Sequence, residues 1–172
     1  MQIIYRKAKI EDAQDILDYL NTISTQSDNL SFGEEGIGYT LEDEIAIIEK
    51  INQSDNQVMF LALDKDKIVS VANLSASSRV RMKHHATLGI SVLKDYWHQG
   101  IGTQIMELIH DYAQKSSILE IIRLDVRSDN ANAIALYKKF GYEKIGCFAE
   151  EMKIKGQYIS IDQMRVLLKK EN

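Results

Sequence analysis

The 172-residue chain has a single cysteine, Cys147, so no disulfide can form within it. That suits a reducing compartment, and Cys147 reads as a small apolar packing residue. No apolar run approaches the length of a membrane span, and the apolar part of Met1-Gln2-Ile3-Ile4-Tyr5 is too short for the core of a signal peptide. The expectation is a soluble, cytoplasmic protein. Basic residues form no stripe beyond short pairs such as Lys138-Lys139 and Lys169-Lys170, and the net charge is −4, which argues against nucleic acid as the main partner. Gly-Lys-Ser/Thr occurs nowhere, which excludes a P-loop; a dinucleotide fingerprint fails because Ile105 stands where its third glycine belongs. There is no internal repeat and no low-complexity segment.

What is present suffices for one ordinary core. A hydrophobic content of 45% needs no disulfide or metal to hold it, and the length predicts a single domain over residues 1–172. Gln2 to Ala8 reads as a strand, followed by Ala13, Ile16, Leu17, Leu20 and Ile23 at helical spacing. Residues 24–39 have no periodicity and predict a loop, long enough to suggest a functional one. Thr40-Leu41-Glu42-Asp43 resembles a capping box, with Leu41, Ile45, Ile48 and Ile51 as the buried stripe of a second helix. Gln57 to Leu63 and Ile68 to Ala76 then predict an antiparallel hairpin, and Ala86 to Leu93 a fourth strand whose interior Gly89 suggests a bulge, a bend, or a ligand lying against the backbone.

The next stretch, Tyr96-Trp97-His98-Gln99-Gly100-Ile101-Gly102-Thr103, joins that strand to a helix carrying Ile101, Ile105, Leu108, Ile109 and Tyr112 on one face. The first N–H groups of such a helix lack acceptors and sit at the positive end of its dipole, so they suit an anion such as a phosphate. Glycine at a strand-to-helix turn is also plain turn chemistry. Leu119 to Val126 predicts a fifth strand, locally parallel to the fourth. Asn130 to Phe140 predicts a fourth helix stopped by Gly141, and Tyr142 to Phe148 and Tyr158 to Leu168 predict the last two strands.

Taken in order, Leu88-Gly-Ile-Ser-Val, the Tyr96 to Thr103 stretch and Asp129-Asn-Ala-Asn-Ala-Ile-Ala-Leu-Tyr-Lys-Lys-Phe-Gly-Tyr resemble the GCN5-related N-acetyltransferase (GNAT) family over essentially the whole chain. Asp28-Asn-Leu-Ser-Phe-Gly-Glu-Glu-Gly resembles a bacterial subgroup of it. The resemblance implies the mixed α/β acyl-CoA N-acyltransferase fold: a central sheet of about seven strands, splayed between the fourth and fifth, with about four helices. It implies acetyl-CoA as co-substrate, with no metal. Main-chain groups along Ile90, Ser91 and Val92 would hold the pantetheine arm, and His98, Gln99, Gly100, Ile101, Gly102 and Thr103 the pyrophosphate. Asn130, Ala133 and Tyr137 would line the arm, and Lys138 or Lys139 would meet a CoA phosphate. The family often has glutamine or arginine where Trp97 stands, so a side-chain contact is expected to differ there.

By the same resemblance Tyr137 is the general acid for the departing thiolate, although on its own it reads as a core aromatic. No carboxylate lies in Ala86 to Leu93, which leaves Glu34, Glu35, His84 and His85 as candidate bases, with Glu35 and His85 put forward; each also reads as a solvated loop residue. The expected activity is transfer of an acetyl group to a primary amine of a small molecule, amino acid or peptide N-terminus. The alternative is a non-catalytic acyl-CoA-binding module. The alternating last strand allows a homodimer, though core packing explains it equally well.

Overall fold

The computed structural model describes residues 2–169; Lys170 of the Lys169-Lys170 pair lies outside them, as do Met1, Glu171 and Asn172. The elements are β1 (Ile3–Lys7), α1 (Ala13–Gln26), α2 (Leu41–Asn52), β2 (Val58–Asp64), β3 (Lys67–Ala76), β4 (His85–Val92), α3 (Ile101–Lys115), β5 (Ile121–Arg127), α4 (Ala131–Lys139), β6 (Glu143–Ile154) and β7 (Gln157–Leu167). One seven-stranded sheet has the order β1-β2-β3-β4-β5-β7-β6, antiparallel except for β4 and β5. None of the described helices is long and apolar enough to cross a membrane.

Val58 to Leu63 in β2 is buried at every residue. Neighbouring side chains point to opposite faces of a strand, so helices must cover both sides. α1 lies against α2 and β3 on one face, and α3 packs on β2, β3 and β4 from the other. Ile101, Ile105, Met106 and Ile109 of α3 are almost wholly buried, as their spacing requires.

Local signals explain most boundaries. The Thr40 hydroxyl accepts from Asp43 N at 3.2 Å and the Asp43 carboxylate accepts from Thr40 N at 2.9 Å, completing the box at the start of α2. Leu41 is exposed, because the first helical position behind the cap faces solvent; Glu44 is buried beside the apolar stripe instead. α1 continues to Gln26, so the connector begins three residues later than expected. Asn130 caps α4 by accepting from Ala133 N at 3.2 Å, and Gly141 ends it with φ +84°.

Two expectations need correction. β6 runs on to Ile154 rather than stopping at Phe148, because an irregularity between Phe148 and Met152, with Glu150 at φ +57°, lets pairing with β7 resume. Cys147 is exposed on this edge strand and is not a packing residue.

Candidate active site

The site begins with a failure of strand pairing. β4 and β5 pair only over His85 to Thr87 against Ile121 to Arg123, yet β4 continues to Val92 and β5 to Arg127. Past that point each keeps only its outer neighbour, β3 or β7. Leu93 N–H donates to Val69 O at 2.9 Å, and inward and outward groups alternate along an antiparallel ladder, so Ser91 and Gly89 also direct their main chains at β3. The main-chain N–H and C=O groups of Ile90 and Val92, with the C=O of Leu88, therefore face the opening.

This separates residues that looked alike in sequence. Ser91 is turned away: its hydroxyl bonds the Tyr19 hydroxyl of α1 at 2.9 Å and its carbonyl accepts from Ser70 Oγ at 2.7 Å. Gly89 is not a bulge, since its register with Asn73 is regular. A Cβ there would lie 2.8 Å from Asn73 Oδ1, so glycine makes room for the cross-strand side chain.

Beyond the tip of β4, His98 and Gly100 both take left-handed backbone angles, φ +59° and +80°. Two such residues close together turn successive N–H groups into one concavity. No side chain caps α3, so the N–H groups of Ile101, Gly102 and Thr103 have neither helical nor capping acceptors. Gly102 has a packing role as well: a Cβ would sit 3.4 Å from Leu136 Cδ2, so α4 lies directly against the start of α3. Lys139 is exposed and lies about one turn beyond Leu136 on α4.

The mouth of the opening holds a cavity of about 420 Å³, lined by residues 26–29, Trp97, Arg127 and residues 129–132. Arg127 grips Asp129 through two nitrogens, at 2.9 and 2.7 Å, and donates its third to Asp28 O at 3.0 Å. The Arg127 guanidinium holds the Asp129 carboxyl below the usual range. Lys155, at the tip of the β6–β7 hairpin, reaches Asp28 at 3.1 Å. Asp28 and Asp129 are thus the carboxylates brought to the mouth, a pair that sequence reasoning missed. Trp97 donates its indole N–H to Val92 O at 2.7 Å, which places the ring in the opening.

The remaining expected residues fall differently. Tyr137 is buried, its ring 5.9 Å from that of Tyr142, and its hydroxyl makes no hydrogen bond to a described residue. Burial pushes its pKa up to about 12. Asn130 spends its carbonyl oxygen on the helix cap, leaving its amide nitrogen to donate; Ala133 supplies the N–H of that cap. Gln99 turns its side-chain amide to Asp95 O at 2.8 Å, so only its main chain faces the turn.

His85 sits where β4 and β5 are still paired, five residues or ~17 Å of strand from Ile90. Burial and the neighbouring Arg123 and His84 lower its pKa, and the structure does not bring it to the opening. Glu35 is exposed, and its carboxylate accepts Gly33 N–H at 2.9 Å, which lowers its pKa and works against the base role expected of it.

The sequence profile described as the Acetyltransferase (GNAT) family matches residues 21–142, about 70% of the chain. The chain belongs to this family. A GNAT-family acetyltransferase from Streptococcus pneumoniae superposes with a TM-score of 0.95 at 32% identity, covering 98% of this chain and all of that one. A putative acetyltransferase from Salmonella typhimurium, solved with its cofactor acetyl-CoA, has the same fold, with a TM-score of 0.84 at 14% identity, covering 98% of this chain and 95% of that one. The ribosomal protein bS18-alanine N-acetyltransferase of Escherichia coli is 29% identical over 93 residues, 54% of this chain and 60% of that protein. The chain spans about half the length of the curated relatives it matches. The splayed sheet is thus the acyl-CoA N-acyltransferase architecture of the GNAT family.

Proposed function

We propose that the protein is an acetyl-CoA-dependent N-acetyltransferase acting on a primary amine by direct attack. One observation carries this: the unpaired edge of β4, with Ile90 and Val92 facing outward, runs directly into an uncapped helix N-terminus. An extended arm bearing amides pairs with such an edge as an added strand does, and a diphosphate suits the turn that follows. Acetyl-CoA combines those two chemistries. The fit extends to the chain's own groups, since the outward main chain offers donors and acceptors while His98 to Thr103 offers N–H donors.

When bound, acetyl-CoA supplies an acyl group activated as a thioester. Ile90 N–H would receive negative charge developing on the acyl oxygen, being fixed by the strand and already aimed at the opening. Tyr137 keeps its proton far above neutral pH and would give it to the departing sulfur. The Gly33 N–H lowers the basicity of Glu35, His85 lies five residues back along β4 from Ile90 with its own pKa lowered, and Arg127 holds Asp129 below its usual range, so none of the three is assigned as the base. The acceptor would therefore enter as the neutral amine, having lost its proton to water at the open mouth. Asp28 and Asp129 at that mouth are already matched by Lys155 and Arg127, so the mouth carries no net charge that would hold the acceptor as a cation.

Calorimetry with acetyl-CoA, followed by thiol release with a panel of polyamines, amino acids and peptides bearing a free N-terminus, tests the proposal. Binding with turnover on an amine supports it. Binding without turnover on any acceptor would leave the non-catalytic acyl-CoA module, and absence of binding would refute both.

A further inference from the structure

The Trp97 indole bonds the acceptor that an incoming arm would need. β4 exposes a short row of outward groups, and Val92 O is the one nearest the anion-binding turn. It accepts Trp97 Nε1–H at 2.7 Å, a short bond for a neutral donor. The bond is built by local geometry. Tyr96 N–H donates to Leu93 O at 2.9 Å and Trp97 N–H to Lys94 O at 3.2 Å, so the chain winds through one tight turn and delivers residue 97 back against residue 92. Val92 O points away from β3, so the indole arrives from the open side, where a fifth strand would otherwise have supplied an amide N–H.

We infer that Trp97 is an internal competitor for the cofactor groove: its indole N–H takes the place of a pantetheine amide on Val92 O and must leave that oxygen for acetyl-CoA to bind. This rests on the cofactor reading above. Trp97 is 38% exposed and borders the cavity of about 420 Å³ shared with Arg127 and Asp129, so there is room for the ring to swing aside without disturbing the core. Moving it would place an aromatic face on the wall of the acceptor cavity, beside the Arg127 guanidinium. Filling of the groove and shaping of the acceptor pocket would then be one event, and acetyl-CoA would bind before the amine.

Trp97 is the sole tryptophan, so its indole N–H gives a single resonance in a protein labelled with nitrogen-15. Titration with acetyl-CoA, with calorimetry on the same sample confirming saturation, should shift that resonance and raise its exchange with water by at least about tenfold as the bond opens. Trp97→Phe keeps a ring but removes the donor, and should tighten acetyl-CoA binding by about 2- to 10-fold, the equivalent of one ordinary hydrogen bond no longer displaced. Saturation with the resonance and its exchange unchanged would overturn the inference while leaving the cofactor reading intact. Unchanged or weakened affinity in a folded Trp97→Phe protein would overturn it too, making the indole a bystander or a cofactor contact. No calorimetric binding to the wild-type protein would remove the cofactor reading itself, and the competitor role with it.

Discussion

At the scale of single residues, the hydroxyl of Tyr137 is a group whose removal separates chemistry from packing. It holds no hydrogen bond to a described residue, so Tyr137→Phe should fold normally and bind acetyl-CoA about as well as the wild type. If it is the proton donor, kcat falls by on the order of 10²-fold, the low end for general acids; wild-type turnover where chemistry limits the rate would make it a packing aromatic. With its pKa pushed up to about 12, Tyr137 should contribute no loss of activity on the alkaline side below about pH 11. Gly102 offers a second contrast. A Cβ lies 3.4 Å from Leu136, so Gly102→Ala should fit and even favour the helix, by up to ~1 kcal/mol. The branched Gly102→Val must push Leu136 aside, so melting of this variant has to be measured beside its acetyl-CoA affinity before any loss is assigned to the pyrophosphate.

Among elements, α2 and the entry to α1 carry carboxyls whose environments act in opposite senses. Burial raises the Glu44 carboxyl above its ordinary value of 4.5, so the folded chain binds that proton more tightly than the unfolded chain does. Its contribution to stability is full below that ordinary value and is lost as pH rises through the raised one. Glu44→Gln should therefore raise Tm near pH 7.5 and flatten the decline from pH 4.5 upward; an unchanged profile would mean that α2 leaves Glu44 well solvated. Asp12 behaves conversely. The Arg6 guanidinium grips it at 2.7 Å through both terminal nitrogens and depresses its pKa, so its contribution is present above pH 3.8 and lost on acidification. Asp12→Asn should cost about 1–3 kcal/mol at neutral pH, measured by urea denaturation, and much less at pH 2. These elements also show what a sequence reveals. The stripe of α3, the Thr40–Asp43 cap and Gly141 were readable because their causes lie within a few neighbouring residues. Glu34 and Glu35 stood out in that loop as candidate bases, whereas Asp28 is the carboxylate held at the mouth, by Arg127 of β5 and by Lys155 of the β6–β7 turn, both remote in sequence. Gly89 was legible as unusual but not as room for Asn73, because strand register is set across space.

For the molecule as a whole, the splay predicts a pattern of backbone protection. Ile90 and Val92 lie in a strand yet direct their N–H groups at no neighbouring strand, so they should exchange with water far faster than Ser91 and Gly89 beside them. Acetyl-CoA should slow Ile90 and Val92 and leave the others unchanged; uniform protection along β4 would mean that the two strands stay closed in solution. Sheet order has a further consequence, for synthesis. β5 takes β7 as its neighbour, and β7 begins roughly thirty residues beyond the end of β5, after α4 and β6 have been made. On a ribosome adding about 5–20 residues each second, a nascent chain emerges with β5 unpaired along one edge for about 2–6 seconds. During that interval Ile122, Leu124 and Val126 are available to any other strand, so a chaperone that shields this edge would raise the yield of folded protein more than one acting on the earlier hairpin.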